Sequence, residues 1–102
     1  MILIVDDDKA IRQSLALILK RKGYETLQAE NPQEALTFLR ERKFQLVIMD
    51  MNYSLSTTGE EGIHLLRQTK IFQPETPVIL ITAWGSIELA VEGMRYGAFD
   101  FI

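Results

Sequence analysis

Short runs of branched apolar residues alternate along the chain with segments in which apolar residues recur every three or four positions. Ile2 to Val5 suits a strand buried on both faces. Asp8 then stands where it can cap a helix in which Ile11, Leu15, Ile18 and Leu19 share one face. Lys20, Arg21 and Lys22 sit favourably at that helix's negative end, and Gly23 ends it. Tyr24 to Ala29 predicts a weaker strand. In Asn31-Pro32-Gln33-Glu34 the asparagine caps, the proline takes the first helical position and the glutamate can reach back, so a second helix is predicted to about Lys43. Phe44 to Met49 is the most strand-like segment and ends at Asp50. A polar loop through Gly59 leads to a third helix carrying Ile63, Leu65 and Leu66. Pro77 opens a fourth strand, Val78 to Ile81. After Thr82, the stretch Ser86 to Tyr96 places Ile87, Ala90, Val91 and Met94 on one helical face and stops at Gly97, which leaves Phe99 to Ile102 as a fifth strand. This βαβαβαβαβ order predicts an α/β fold, a parallel sheet with helices on both faces.

Composition narrows the function classes. A chain of 102 residues that is 47% hydrophobic supports one domain with a real core. Its net charge is −3 with acids and bases interspersed, so it has no basic stripe for phosphates, and direct nucleic-acid binding is not expected. The lack of cysteine excludes disulfides and thiolate metal sites and suits a reducing compartment, making the cytoplasm the expected location. Apolar stretches are interrupted every few residues, and MILIVDDD has neither a basic leading segment nor a small-residue cleavage site. No signal peptide or membrane span is expected.

The candidate chemistry lies at the strand ends. Asp6, Asp7 and Asp8 place three like charges directly after a buried strand, an arrangement that costs free energy unless a cation belongs to the design. Ligands of such sheets gather at the carboxyl ends of the strands. There the polar residues are Asp6 and Asp7 after the first strand, Asp50 after the third and Thr82 after the fourth. They share one crevice if those three strands are adjacent, which composition and periodicity leave open. Plainer readings compete: strand-end turns and capping acids for Asp6 and Asp7, a turn hydroxyl for Thr82, a core aromatic for Phe101. His64 reads as a surface residue, Glu60 and Glu61 as first-turn helix acids, and Trp84 as a loop aromatic at the crevice mouth.

Three motifs, VDDD at 5 to 8, VIMD at 47 to 50 and ITAWGSIELAVEGMRYGAFDFI at 81 to 102, together resemble the receiver domain of bacterial two-component response regulators over essentially the whole chain. The last motif is similar to NtrC-type receivers in particular. Each motif is weak alone; their order and spacing on this pattern of strands and helices carry the signal. The resemblance implies a flavodoxin-like (CheY-like), doubly wound, five-stranded sheet of order 2-1-3-4-5. It also implies that Asp50 accepts a phosphoryl group from a histidine kinase. Asp6, Asp7 and Asp50, with the backbone carbonyl of Asn52, would hold Mg²⁺, an ion that prefers hard oxygen ligands and few carboxylates. Thr82 would hydrogen-bond a phosphoryl oxygen and Phe101 would be the switch aromatic, reshaping the face made by the fourth helix and fifth strand to control an output domain, such as an ATPase and DNA-binding portion in transcription regulation.

Two departures stand beside the resemblance. The family's lysine, three positions after the switch aromatic, and its fifth helix would both fall beyond Ile102, so residues 1–102 read as a C-terminally truncated receiver fragment. A truncated sheet edge can pair or swap with another copy, which leaves a homodimer open. The loop MNYSLSTTGEEG is longer than usual and lacks the proline expected just after the phosphoacceptor. These departures keep a phosphate-independent pseudo-receiver as the alternative. A Mg²⁺-dependent aspartyl phosphohydrolase is disfavoured, because Asn52 stands where that class carries a general-acid aspartate.

Overall fold

Nine elements form in the predicted order in a computed structural model that describes residues 1–51, 60–81 and 87–102. They are β1 (Ile2–Val5), α1 (Lys9–Arg21), β2 (Thr26–Ala29), α2 (Pro32–Glu41), β3 (Leu46–Asp50), α3 (Glu60–Phe72), β4 (Val78–Ile81), α4 (Ile87–Arg95) and β5 (Asp100–Phe101). The sheet is parallel throughout and runs β2-β1-β3-β4-β5, the order the resemblance implied. The described residues hold four helices, and the fifth of the family pattern is missing.

Local signals explain the helix ends. Asp8 Oδ1 accepts the N–H groups of Ala10 at 2.8 Å and Ile11 at 3.3 Å, satisfying donors that a helix start leaves open. Asn31 does the same for Glu34 at 2.8 Å, with Pro32 opening α2. At the other end of α1, Gly23 takes φ +91°, and the N–H groups of Lys22, Gly23 and Tyr24 return to carbonyls of Leu19 and Lys20. Tyr24 thus belongs to the helix stop, and β2 starts later than the predicted Tyr24.

Strand alternation splits the apolar residues between two faces. Leu3, Val5, Val47, Met49, Val78 and Leu80 enter one core with Ala35 and Leu39 of α2, and with Leu65 and Leu66 of α3. Ile2, Ile4 and Ile48 are buried on the opposite face, where α1 packs on β1 and β2. The predicted apolar face of α1 is only partly used: Ile11 is 41% and Ile18 54% exposed, and the buried residue of that helix is Arg12. The cause is architectural. Side chains of α2, α3 and α4 pack into the other core, so among the described residues α1 has its face of the sheet to itself and its flanks stay in solvent. In α4, likewise, Ala90 and Gly93 are buried while Val91 and Met94 face outward. Gly93 matters here, since a Cβ would run into the Leu80 side chain of β4.

The end of the sheet opposite the strand carboxyl ends is closed by one buried amide. Gln73 Nε2 donates to the carbonyls of Leu39 at 3.0 Å and Arg42 at 2.7 Å, and its Oε1 accepts from the Phe44 N–H at 3.0 Å. The Thr76 hydroxyl lies 2.9 Å from Gln73 Oε1 and 3.1 Å from the Phe44 carbonyl, its single proton serving one at a time. This network joins the end of α2, the entry to β3 and the turn before β4. Replacing Gln73 by leucine keeps the bulk but strands buried backbone groups, so urea unfolding of Gln73→Leu should show a loss of about 3 kcal/mol. A loss under about 1 kcal/mol would mean the amide is dispensable.

Candidate functional site

Two neighbouring strands build the site. Val5 of β1 lies in register with Met49 of β3, so the residues that follow, Asp6 and Asp50, leave the sheet side by side. One carboxylate oxygen from each of Asp6, Asp7 and Asp50 lies within 4.8 Å of the other two. The three acids therefore converge, as the sheet order requires. Asp7 is exposed and Asp50 half-buried, whereas Asp6 is only 2% exposed.

Asp6 is held at almost every polar atom. Its N–H donates to the Ala29 carbonyl of β2 at 3.1 Å, its own carbonyl accepts Arg12 Nη1 at 2.7 Å, and its Oδ1 accepts the Asp8 N–H at 2.9 Å. Oδ2 is buried and has no donor. The neighbouring Asp7 carboxylate can share a hydrogen bond with it only when one of the two is protonated. Burial raises the Asp6 pKa above the usual carboxylate value, and the charges of Asp7 and Asp8 push the same way; the Asp8 N–H bond partly offsets them. A buried, unpartnered carboxylate oxygen beside two further carboxylates fits a hard divalent cation, which takes oxygen ligands and removes the repulsion. Asp6, Asp7 and Asp50 are thus suited to hold one.

The remaining predicted residues divide between two outcomes. Asn52, Thr82 and Trp84 lie outside the described residues. Ile81, which precedes Thr82 in the chain, is in register with Asp50, and the Met51 N–H donates to its carbonyl at 3.1 Å. Phe101 pairs in register with Leu80 near the far edge of the sheet and is 37% exposed, and the acid cluster does not include it. Asp8 is the helix cap, as expected. Two neighbours of the site escaped the sequence reading. Arg12 is 9% exposed and reaches back to the Asp6 carbonyl; the available signal was an arginine one turn into the helix that follows the aspartates. Gly62 of α3 is the other: a Cβ there would lie 2.7 Å from the Met51 carbonyl oxygen, so α3 rests directly on the backbone that follows Asp50.

Comparison with known proteins agrees with this arrangement. The chain matches the response regulator receiver domain family over residues 2–102 and belongs to that family. The response regulator protein FleR of Pseudomonas aeruginosa is 38% identical over 99% of this chain, which covers 20% of FleR. The crystal structure of the receiver domain of NtrX from Brucella abortus superposes with a TM-score of 0.91 at 40% identity, covering 100% of this chain and 83% of that one. A response regulator from Burkholderia pseudomallei, solved with a phosphorylated aspartic acid, calcium ion and citrate, has a TM-score of 0.88 at 29% identity, covering 98% of this chain and 56% of that one. The similarity to NtrC-type receivers is borne out by these matches. The chain spans about a fifth of the length of the curated regulators it matches first.

The geometry of Asp6 sets a stability test. Asparagine keeps the Oδ1 acceptor for Asp8 and replaces the buried, donor-less oxygen with a neutral donor in the same acid cluster. In cation-free buffer at neutral pH, Asp6→Asn should unfold later than the wild-type chain, with a gain of about 1 kcal/mol in thermal or urea unfolding. A loss of stability would contradict the view of Asp6 as a buried, unfavourable charge.

Proposed function

We propose that the chain is a phosphorylation-dependent signal receiver in which Asp50 accepts a phosphoryl group from a histidine kinase. The observation that carries this reading is the grouping of Asp6, Asp7 and Asp50, one carboxylate oxygen from each lying within 4.8 Å of the others, with Asp6 Oδ2 buried and without a donor. Asp6, Asp7 and Asp50, together with the Asn52 carbonyl, are the proposed Mg²⁺ ligands. Mg²⁺, when bound, supplies the positive charge that lets a carboxylate approach an already anionic phosphoryl group. The presence of a phosphorylated aspartic acid and a calcium ion in the Burkholderia relative supports the same assignment here.

In the transfer, an Asp50 carboxylate oxygen bonds to phosphorus as the phosphorus–nitrogen bond of the kinase's phosphohistidine breaks, the imidazole keeping the electron pair. The Thr82 hydroxyl donates to a phosphoryl oxygen, and the movement of that segment is read by Phe101. The outward-facing Val91 and Met94 of α4, and Tyr96 just after it, supply the surface whose shape an output partner senses. Phosphorylation shifts this equilibrium only by the difference in its interactions with the two forms. Regulators named for transcriptional control among the relatives, of whose length the chain spans 22% in one and 43% in another, support a receiver attached to a transcriptional output domain, and the cytoplasm is its proposed location. No described helix is long and apolar enough to cross a membrane.

Incubation with acetyl phosphate and Mg²⁺ followed by intact-mass measurement tests the reading. The wild-type chain should gain one phosphoryl group, and chelation of the metal or Asp50→Asn should abolish the gain. An adduct that survives in Asp50→Asn would show the acceptor to be another residue, and a folded wild type that never gains one would favour the phosphate-independent module.

A further inference from the structure

Arg12 is the buried residue of α1, an uncommon place for a guanidinium. Its own N–H closes the first turn of the helix on the Asp8 carbonyl at 3.1 Å, while its Nη1 reaches back to the Asp6 carbonyl at 2.7 Å. That second bond matters because of what else holds Asp6. The N–H is tied to β2 through Ala29, and Oδ1 is tied to the Asp8 N–H. With the carbonyl held as well, the backbone of Asp6 is fixed on both sides of the Cα, and of its own polar atoms the buried Oδ2 is left without a partner, on a carboxylate that belongs to the acid cluster.

We infer that Arg12 is a positioning residue for the cation site: by clamping the Asp6 carbonyl it sets the placement of the Asp6 carboxylate before any ion arrives. The inference rests on the reading that Asp6, Asp7 and Asp50 take Mg²⁺. An arginine suits the task because its planar guanidinium is a rigid donor that reaches the Asp6 carbonyl from the first turn of α1. A lysine reaches the same carbonyl with a single donor. A methionine fills the space and donates nothing.

Mg²⁺ titration by calorimetry on the 102-residue chain separates this from a purely structural role. Losing the clamp should weaken Mg²⁺ binding by Arg12→Met at least fivefold, on the order of tenfold, when compared with wild type at a temperature where both are folded. Arg12→Lys should recover most of that loss. A structural role alone lowers the unfolding temperature without metal and leaves Mg²⁺ affinity where it was, so a change of less than about fivefold in folded Arg12→Met overturns the inference. A lysine chain no better than the methionine chain overturns it too. Should Arg12→Met not fold, Arg12→Gln, too short to reach the carbonyl, takes its place under the same limits. Wild-type chain that binds no Mg²⁺ would instead sink the reading of the site itself.

Discussion

The parallel pairing of β1 with β3 is the constraint on which the rest depends. These strands are not consecutive in the chain; α1, β2 and α2 intervene before β3 returns beside β1. Both strands are apolar and largely buried on both faces, so their register is set by packing on two sides at once. A slip of one residue would send Leu3, Val5, Val47 and Met49 to the wrong core and, with them, carry Asp6 or Asp50 out of the crevice. The hydrophobic effect thus does the electrostatic work of bringing like charges together.

That work is visible as a local cost. Asp6 is buried, its pKa is raised chiefly by that burial, and one of its oxygens has no donor. A chain selected for stability alone would put a neutral group there. The structure instead surrounds the residue with partners from β2, the α1 cap and Arg12, which tie its N–H, Oδ1 and carbonyl. Gly62 of α3 presses on the segment after Asp50 from the other side, and the Gln73 network closes the far end of β3. Electrostatic cost is concentrated at one end of the sheet and satisfied hydrogen bonding at the other. This is the division of labour expected when a stable scaffold carries a functional site.

Much of the architecture could be seen in the order of apolar runs and helix caps. Gly23, Asn31-Pro32 and Gly97 punctuate the chain where helices stop or start, each for a backbone reason visible in a single residue. Element ends were less legible where side chains decide them. Phe44 was predicted inside the third strand, but its N–H goes to Gln73, a partner 29 positions away that no local pattern announces. The convergence of Asp6, Asp7 and Asp50 needed the sheet order, which came through family resemblance; periodicity left it open. Arg12 was missed because a charged residue beside Ile11 reads as solvent-facing, and only its reach of six positions back to Asp6 gives it a buried role.

Paramagnetic broadening by Mn²⁺, an ion that accepts the same oxygen ligands as Mg²⁺, tests the central claim most directly. In amide spectra of the labelled chain, substoichiometric Mn²⁺ should first erase the signals of Asp6, Asp7, Asp8, Asp50 and Met51, and excess Mg²⁺ should restore them. Signals of Phe44 and Gln73, at the opposite end of the sheet, should persist. Broadening centred on any other group of acids, or affecting residues 6 to 8 without Asp50, would contradict a single cation shared between the ends of β1 and β3.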